Sequence, residues 1–240
     1  GMRVLDLGAG VGDVSLIAGG PISSSDNVGN DISGAAISLS TSSGAIGSST
    51  NFIRTAATTL TAATAGGADD IHLIEVDGVV FVGAGGLSAP SATVRLGGGA
   101  FISSASDLIN DLTSVEVSGA AILDLVTFTD TLKKLTLVDG AVLGSGAGAI
   151  SATEDFDVRK GSVSAKLMGA AGLNKNTGET VWLIGDNSYA GDTQIDGGSL
   201  IVLGNNGPSN VSVNNSGTLG GIGSIDGTVT GNSGANVAPG

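Results

Sequence analysis

The chain has 240 residues, of which 42 are glycine and 4 are proline; 41% are apolar, mostly small and aliphatic, and only 3% are aromatic. This is too apolar for a disordered tail and lacks the proline of collagen, while the absence of cysteine excludes disulfides and thiolate metal sites. A net charge of −13, from 22 acids against 9 bases, argues against nucleic acid and anionic membrane surfaces as partners, and no apolar run approaches the ~20 residues a membrane-spanning helix needs. Ser, Thr and Asn at the polar positions, with few long charged side chains, favour strands and turns over helices.

The first element contains the string Val4-Leu5-Asp6-Leu7-Gly8-Ala9-Gly10-Val11-Gly12-Asp13. It is similar to the first motif of the S-adenosylmethionine-dependent methyltransferases, in which a strand, a glycine turn and a helix together hold the cofactor. The helix cannot follow here, because Gly19, Gly20 and Pro21 fall within two turns of Gly12. The string reads instead as two short strands, Val4–Leu7 and Val14–Ile17, joined by a glycine-rich corner. The next strands, 36–40 and 58–62, align with 13–17 on Leu16, Leu39 and Leu60, which are 23 and 21 residues apart. From Leu60 to Leu73 the interval shrinks to 13 residues, where the register breaks or a turn is missing.

The middle of the chain is the most regular. Glycines 78, 99, 119, 140 and 161 are separated by 21, 20, 21 and 21 residues, and a short alternating strand precedes Gly99, Gly119, Gly140 and Gly161, at 93–96, 114–117, 134–137 and 155–158. The pattern continues more loosely through Gly178, Gly198 and Gly217. Repeats of about 20 residues without helices predict a solenoid. The Leu-x-x-Leu-x-Leu-x-x-Asn frame of a leucine-rich repeat is absent. The expected fold is therefore all-β, a parallel β-helix of ~20-residue coils in which Leu96, Val117, Leu137 and Val158 stack as an inward ladder. Gly78, Gly99, Gly119, Gly140, Gly161, Gly198 and Gly217 are its structural repeat positions, serving corners where a positive φ or close backbone approach excludes a side chain. Residues 1–75 form less regular coils of this single solenoid, 76–171 the regular ones, and 172–240 a third group.

Chemistry-bearing clusters are few. Asp70 and the single histidine, His72, share one side of an alternating strand and Asp69 lies on the other; such a histidine reads as a solvated surface residue. Asp155 and Asp157, followed by Arg159, share a strand face and are candidate calcium or sugar ligands, against the alternative of an outward polar face with Phe156 and Val158 inside. Asp107 and Asp111 with Leu108, Ile109 and Leu112 read as a short helical turn or a loop, and Lys133-Lys134 as a solvated corner. One histidine gives no nucleophile–base–acid set, so no catalytic residue and no cofactor is assigned. Trp182 and Tyr189 offer rings on which sugars could stack.

Residues 172–240 carry a resemblance. Gly172, Leu173 and Lys175, the strand Val181–Leu183, then Gly185, Asn187, Tyr189, Gly191, Thr193 and Ile195, then Gly198, Leu200 and Val202 resemble the passenger-associated transport repeat of bacterial autotransporters. Gly217-Thr218-Leu219-Gly220-Gly221 and Val237-Ala238-Pro239-Gly240 are similar to its continuation, whereas Thr177–Thr180 and the bulky Trp182 depart from it. The first coils more loosely resemble those of filamentous-haemagglutinin-type adhesins. The resemblance implies a right-handed β-helical passenger at the surface of a Gram-negative bacterium. It implies a non-enzymatic stalk that adheres to a host-surface glycan or protein, or associates with itself, with no membrane insertion of its own; the alternative is a carbohydrate-active or glycan-binding β-helix. It also implies a membrane-spanning barrel following such a passenger. Gly1 ahead of Met2 reads as a cloning remnant, the first residues lack the basic and then apolar stretches of a signal peptide, and the pattern is interrupted at Gly240.

Overall fold

The chain falls into two compact units, Gly1–Leu123 and Asp124–Gly240; a computed structural model describes residues 1–26, 28–145 and 147–240. Each unit is a parallel β-solenoid, and no helix occurs among the described residues. The division falls within the regular middle stretch of the repeat.

In the first unit the alternating strands stack one coil above the next. Leu73 of Ile71–Glu75 faces Ile53 on one side and Leu96 on the other, and Leu96 in turn faces Val117. All four are fully buried. Their outward neighbours, His72, Arg95 and Glu116, form a second column in the same register. In the second unit Leu137 faces Val158, and along one wall Val142, Val163, Leu183 and Val202 follow one another at inward positions. Burying each such side chain contributes roughly 1.5–3 kcal/mol. The short strands Thr129–Leu132, Ala149–Ala152 and Lys166–Met168 form a further wall of this unit. Its coils tighten along the chain: Leu137 pairs with a residue 21 positions on, Val158, whereas Val211 pairs with Val229, 18 positions on.

Several early elements differ from expectation. The strand expected over Val4–Leu7 is two, Met2–Val4 and Leu7–Gly8, because Asp6 turns the chain through a positive φ of 51° at a coil corner. Val14–Ala18 follows as a strand, and the chain after Gly12 is extended, so the methyltransferase setting is absent. Leu16 does face Leu39, but Leu39 faces Ala62, and Leu60 faces Ile37. The 13-residue interval dissolves as well: Leu73 stacks on Ile53 and Leu60 on Val82, so the two leucines belong to different walls and no turn is missing. The segment around Asp107 is a loop; Asp107 has a φ of 54°, and Leu108 and Ile109 are tucked inward.

Gly78, Gly99, Gly119, Gly140, Gly161 and Gly198 all have positive φ. Gly217 does not, but a Cβ there would lie 2.3 Å from the Ile195 carbonyl oxygen. The glycines do not all stack on one another: Gly161 is paired with Val181, not with Gly178, whereas Gly198 is paired with Gly217. Gly161 shows why a side chain is excluded. Its φ is 120°, and a Cβ would sit 2.1 Å from the Gly140 carbonyl oxygen in the preceding coil. Gly161→Ala is expected to lower stability by about 2–3 kcal/mol, read as a shift in the urea midpoint. Gly178→Ala, at an ordinary φ with open space around it, is the control and should stay within about 0.5 kcal/mol of the parent.

Candidate functional site

The most densely charged outward face of the first unit is built on the column His72, Arg95 and Glu116. Asp70 and His72 do lie side by side, with His72 Nε2 3.9 Å from Asp70 Oδ2. The Arg95 guanidinium joins the neighbouring coils: Nη1 pairs with Asp70 Oδ2, Nε lies 3.6 Å from Glu116 Oε1, and Nη1 lies 3.5 Å from His72 Nε2. Asp70 also accepts the backbone N–H of Thr93 at 2.9 Å. Asp69 turns to another coil and accepts from the Gly44 N–H at 2.7 Å.

His72 is not the solvated residue expected. It is only 4% exposed, because Phe52 of the preceding coil lies edge-on to its ring at 5.3 Å and Arg95 covers the other side. Its Nδ1 is buried without a hydrogen-bond partner among the described residues. Burial, and then the Arg95 charge, hold its pKa below the ordinary value, with Asp70 opposing them. His72 is thus a neutral filler between an aromatic ring and an ion pair.

Asp155 and Asp157 are engaged within the fold. Phe156 and Val158 are fully buried. Asp157 pairs with Arg159, whose Nη2 lies 2.7 Å from Oδ2. Asp155 accepts the Gly172 N–H at 2.7 Å and the Asn174 amide at 3.3 Å, tying its corner to the next coil. Among the described residues no three His, Asp or Glu side chains gather in a metal-binding group. Lys133 lies 3.6 Å from Glu154 at a coil corner.

The coil that carries Asn187, Tyr189 and Thr193 is held by buried polar groups. Asn187 Oδ1 accepts the Leu167 N–H at 2.9 Å, reaching into the preceding coil. The Tyr189 hydroxyl meets Thr193 Oγ1 and Asn206 Oδ1, each at 2.8 Å, and Thr193 Oγ1 meets Ser209 Oγ at 2.7 Å. Lys175 is fully buried and donates to the carbonyls of Thr177 and Gly197 and to the Thr177 hydroxyl. Its pKa is lowered by burial, with Glu179 opposing. Around these corners Asp196, Asn214 and Asn232 form a ladder of side-chain hydrogen bonds at 2.5 Å per step.

The sequence reading passed over the buried acids Asp31, Glu75 and Asp130. Glu75 shares the inward side of its strand with Ile71 and Leu73, is 3% exposed, and accepts the Thr55 hydroxyl at 2.8 Å; its other oxygen has no partner among the described residues. Two-residue alternation from Leu73 was the signal that could have found it.

Uniform parallel coils, outward columns of polar side chains and acids committed to neighbouring coils define a β-solenoid of the kind that presents an extended surface. Among the described residues no helix is long and apolar enough to cross a membrane. Over 105 residues the chain is 34% identical to the adhesin BmaC autotransporter of Brucella suis biovar 1 (strain 1330). That stretch is 43% of this chain and 3% of the relative, so the chain corresponds to a small part of a much longer protein. The resemblance to an autotransporter passenger thus rests on a related adhesin as well as on the fold. No family model and no solved structure matches the chain.

Proposed function

We propose that residues 1–240 form an adhesive, non-enzymatic stalk segment of a surface-exposed protein of a Gram-negative bacterium, acting by contact with a host-surface glycan or protein, or with further copies of itself. The observation that carries this reading is the 34% identity to an autotransporter adhesin. The solenoid supports it, because stacked coils repeat outward side chains at ~4.8 Å and so offer many weak contacts at once. The rival, a carbohydrate-active enzyme, needs acids from neighbouring coils to converge. Asp70 and Glu116 do so, but the Arg95 guanidinium lies between the coils that carry them and engages both carboxylates.

Adhesion is tested with beads coated in the purified chain and washed over epithelial monolayers and a glycan array. Retention at least about tenfold above beads carrying the heat-unfolded chain is expected, since multivalent display amplifies weak contacts. Equal retention of folded and unfolded chains would remove the proposal.

A further inference from the structure

In the strand Thr180–Leu183, Val181 and Leu183 are buried while Trp182 faces outward, 43% exposed. It is the chain's only tryptophan. In the coils on either side its partners are Ser162 and Ile201. Hydroxyl side chains border it, with Thr180, Ser199 and Thr218 in one continuous column. The strands Gly161–Val163, Thr180–Leu183, Gly198–Val202 and Gly217–Gly221 carry no charged residue. On a chain of net charge −13, this is a neutral face with one aromatic platform.

Two residues beyond Trp182, Ile184 is also exposed and forms the rim of a groove of about 430 Å³. Lys166, Ser164 and Asp186 line the groove over a floor that includes Gly148 and Gly185. At either glycine a Cβ would come within 2.7 Å of a backbone carbonyl oxygen, so the floor is bare main chain and cannot be filled by a larger residue. At about 3.3 Å per residue the platform and the rim are at most about 7 Å apart along the chain. An apolar ring beside a polar cleft with one cation and one anion is complementary to a ligand that has apolar C–H faces, hydroxyl edges and no net charge. The acidity of the chain disfavours a polyanion at the same place.

We propose that this face of the second unit and the coil corner beside it bind a neutral oligosaccharide, with the Trp182 indole against a pyranose ring and Lys166, Asp186 and Ser164 hydrogen-bonding the adjoining sugar. The proposal rests on the adhesive reading and specifies its ligand.

Trp182 is its own reporter. Titrating residues 1–240 with cellohexaose, laminarihexaose, mannohexaose and N-acetylchitohexaose should give, for at least one of them, a saturable change in tryptophan fluorescence that heparin does not produce. By calorimetry W182A should weaken that binding at least about tenfold, with W182F intermediate. K166Q should weaken it without altering the fluorescence of the free protein. Since Trp182 lies outside the buried columns, circular dichroism of W182A should match the parent. Absence of any fluorescence change with all four sugars, or unchanged affinity in W182A, would overturn the site. So would a fluorescence change that follows protein concentration with a dimer in sedimentation, which would assign this face to a second copy. If W182A-coated beads adhere as the parent does, the Trp182 site fails while adhesion stands; if parent beads do not adhere, the adhesive reading itself fails.

Discussion

Tyr189→Ala is expected to lower unfolding free energy by about 3–5 kcal/mol, the range for removing a large buried ring. The side chain is fully buried, 6.0 Å from the Phe156 ring at an interplanar angle of 64°, so truncation leaves a void in a bore with little to collapse into it. The hydroxyl adds a separable part. Tyr189→Phe keeps the ring but leaves Asn206 Oδ1 and Thr193 Oγ1 without that partner, and should cost about 1–2 kcal/mol. Urea unfolding followed by far-UV circular dichroism reads both values. If the two variants lost equal stability, the ring would contribute nothing and the packing account of this coil would fail.

Glu75→Gln is expected to change how stability depends on pH. Burial, reinforced by the neighbouring Asp77 carboxyl, pushes the Glu75 carboxyl up to about 8, with the Thr55 hydroxyl pulling the other way. Between its ordinary value and about 8 the folded chain holds a proton that the unfolded chain has released. The stabilisation is therefore complete in acid below the unfolded value and is lost as pH rises through about 8. Allowing for screening by solvent, the parent should lose on the order of 2–3 kcal/mol between pH 5 and pH 9 from this group. The amide of Glu75→Gln mimics the protonated carboxyl, so the variant should lack that loss and exceed the parent in stability at pH 9. His72 acts in the opposite sense. Its lowered pKa gives stability that is present above the ordinary histidine value and lost as pH falls through the lowered one. Denaturant midpoints measured from pH 4 to pH 9 separate the two, because Glu75→Gln should remove the decline that runs from the ordinary glutamate value to about 8 and leave the rise with pH that His72 contributes.

Local alternation made the architecture legible. A strand that reads apolar, polar, apolar has one inward face wherever it sits, and Val115, Val117, Leu135 and Leu137 are all buried accordingly. Register was harder. A slip of two residues keeps every side chain on its own face, so the apolar pattern of 36–40 and 58–62 could not distinguish Leu39 beside Leu60 from the observed Leu39 beside Ala62. At the charged face, alternation correctly placed His72 outward, but its burial comes from Phe52, about one coil earlier in the chain, which no local pattern announces. Asp155 looked available for a ligand because its partner, the Gly172 N–H, belongs to the next coil. Trp182 stood out in the sequence as an aromatic intrusion; the cleft beside it depends on residues from three coils and was invisible there.

One irregularity shows how such a chain can diversify. Leu60 faces Val82, yet only two residues later Ala62 faces Leu87, so three extra residues are lodged between Val82 and Leu87 while both inward positions remain filled. The scaffold thus accommodates added length between two inward positions without transmitting it to the stack. Lineages can edit the exposed corners while inheriting the same bore, and the part of the molecule that meets its surroundings is free to change faster than the part that keeps it folded.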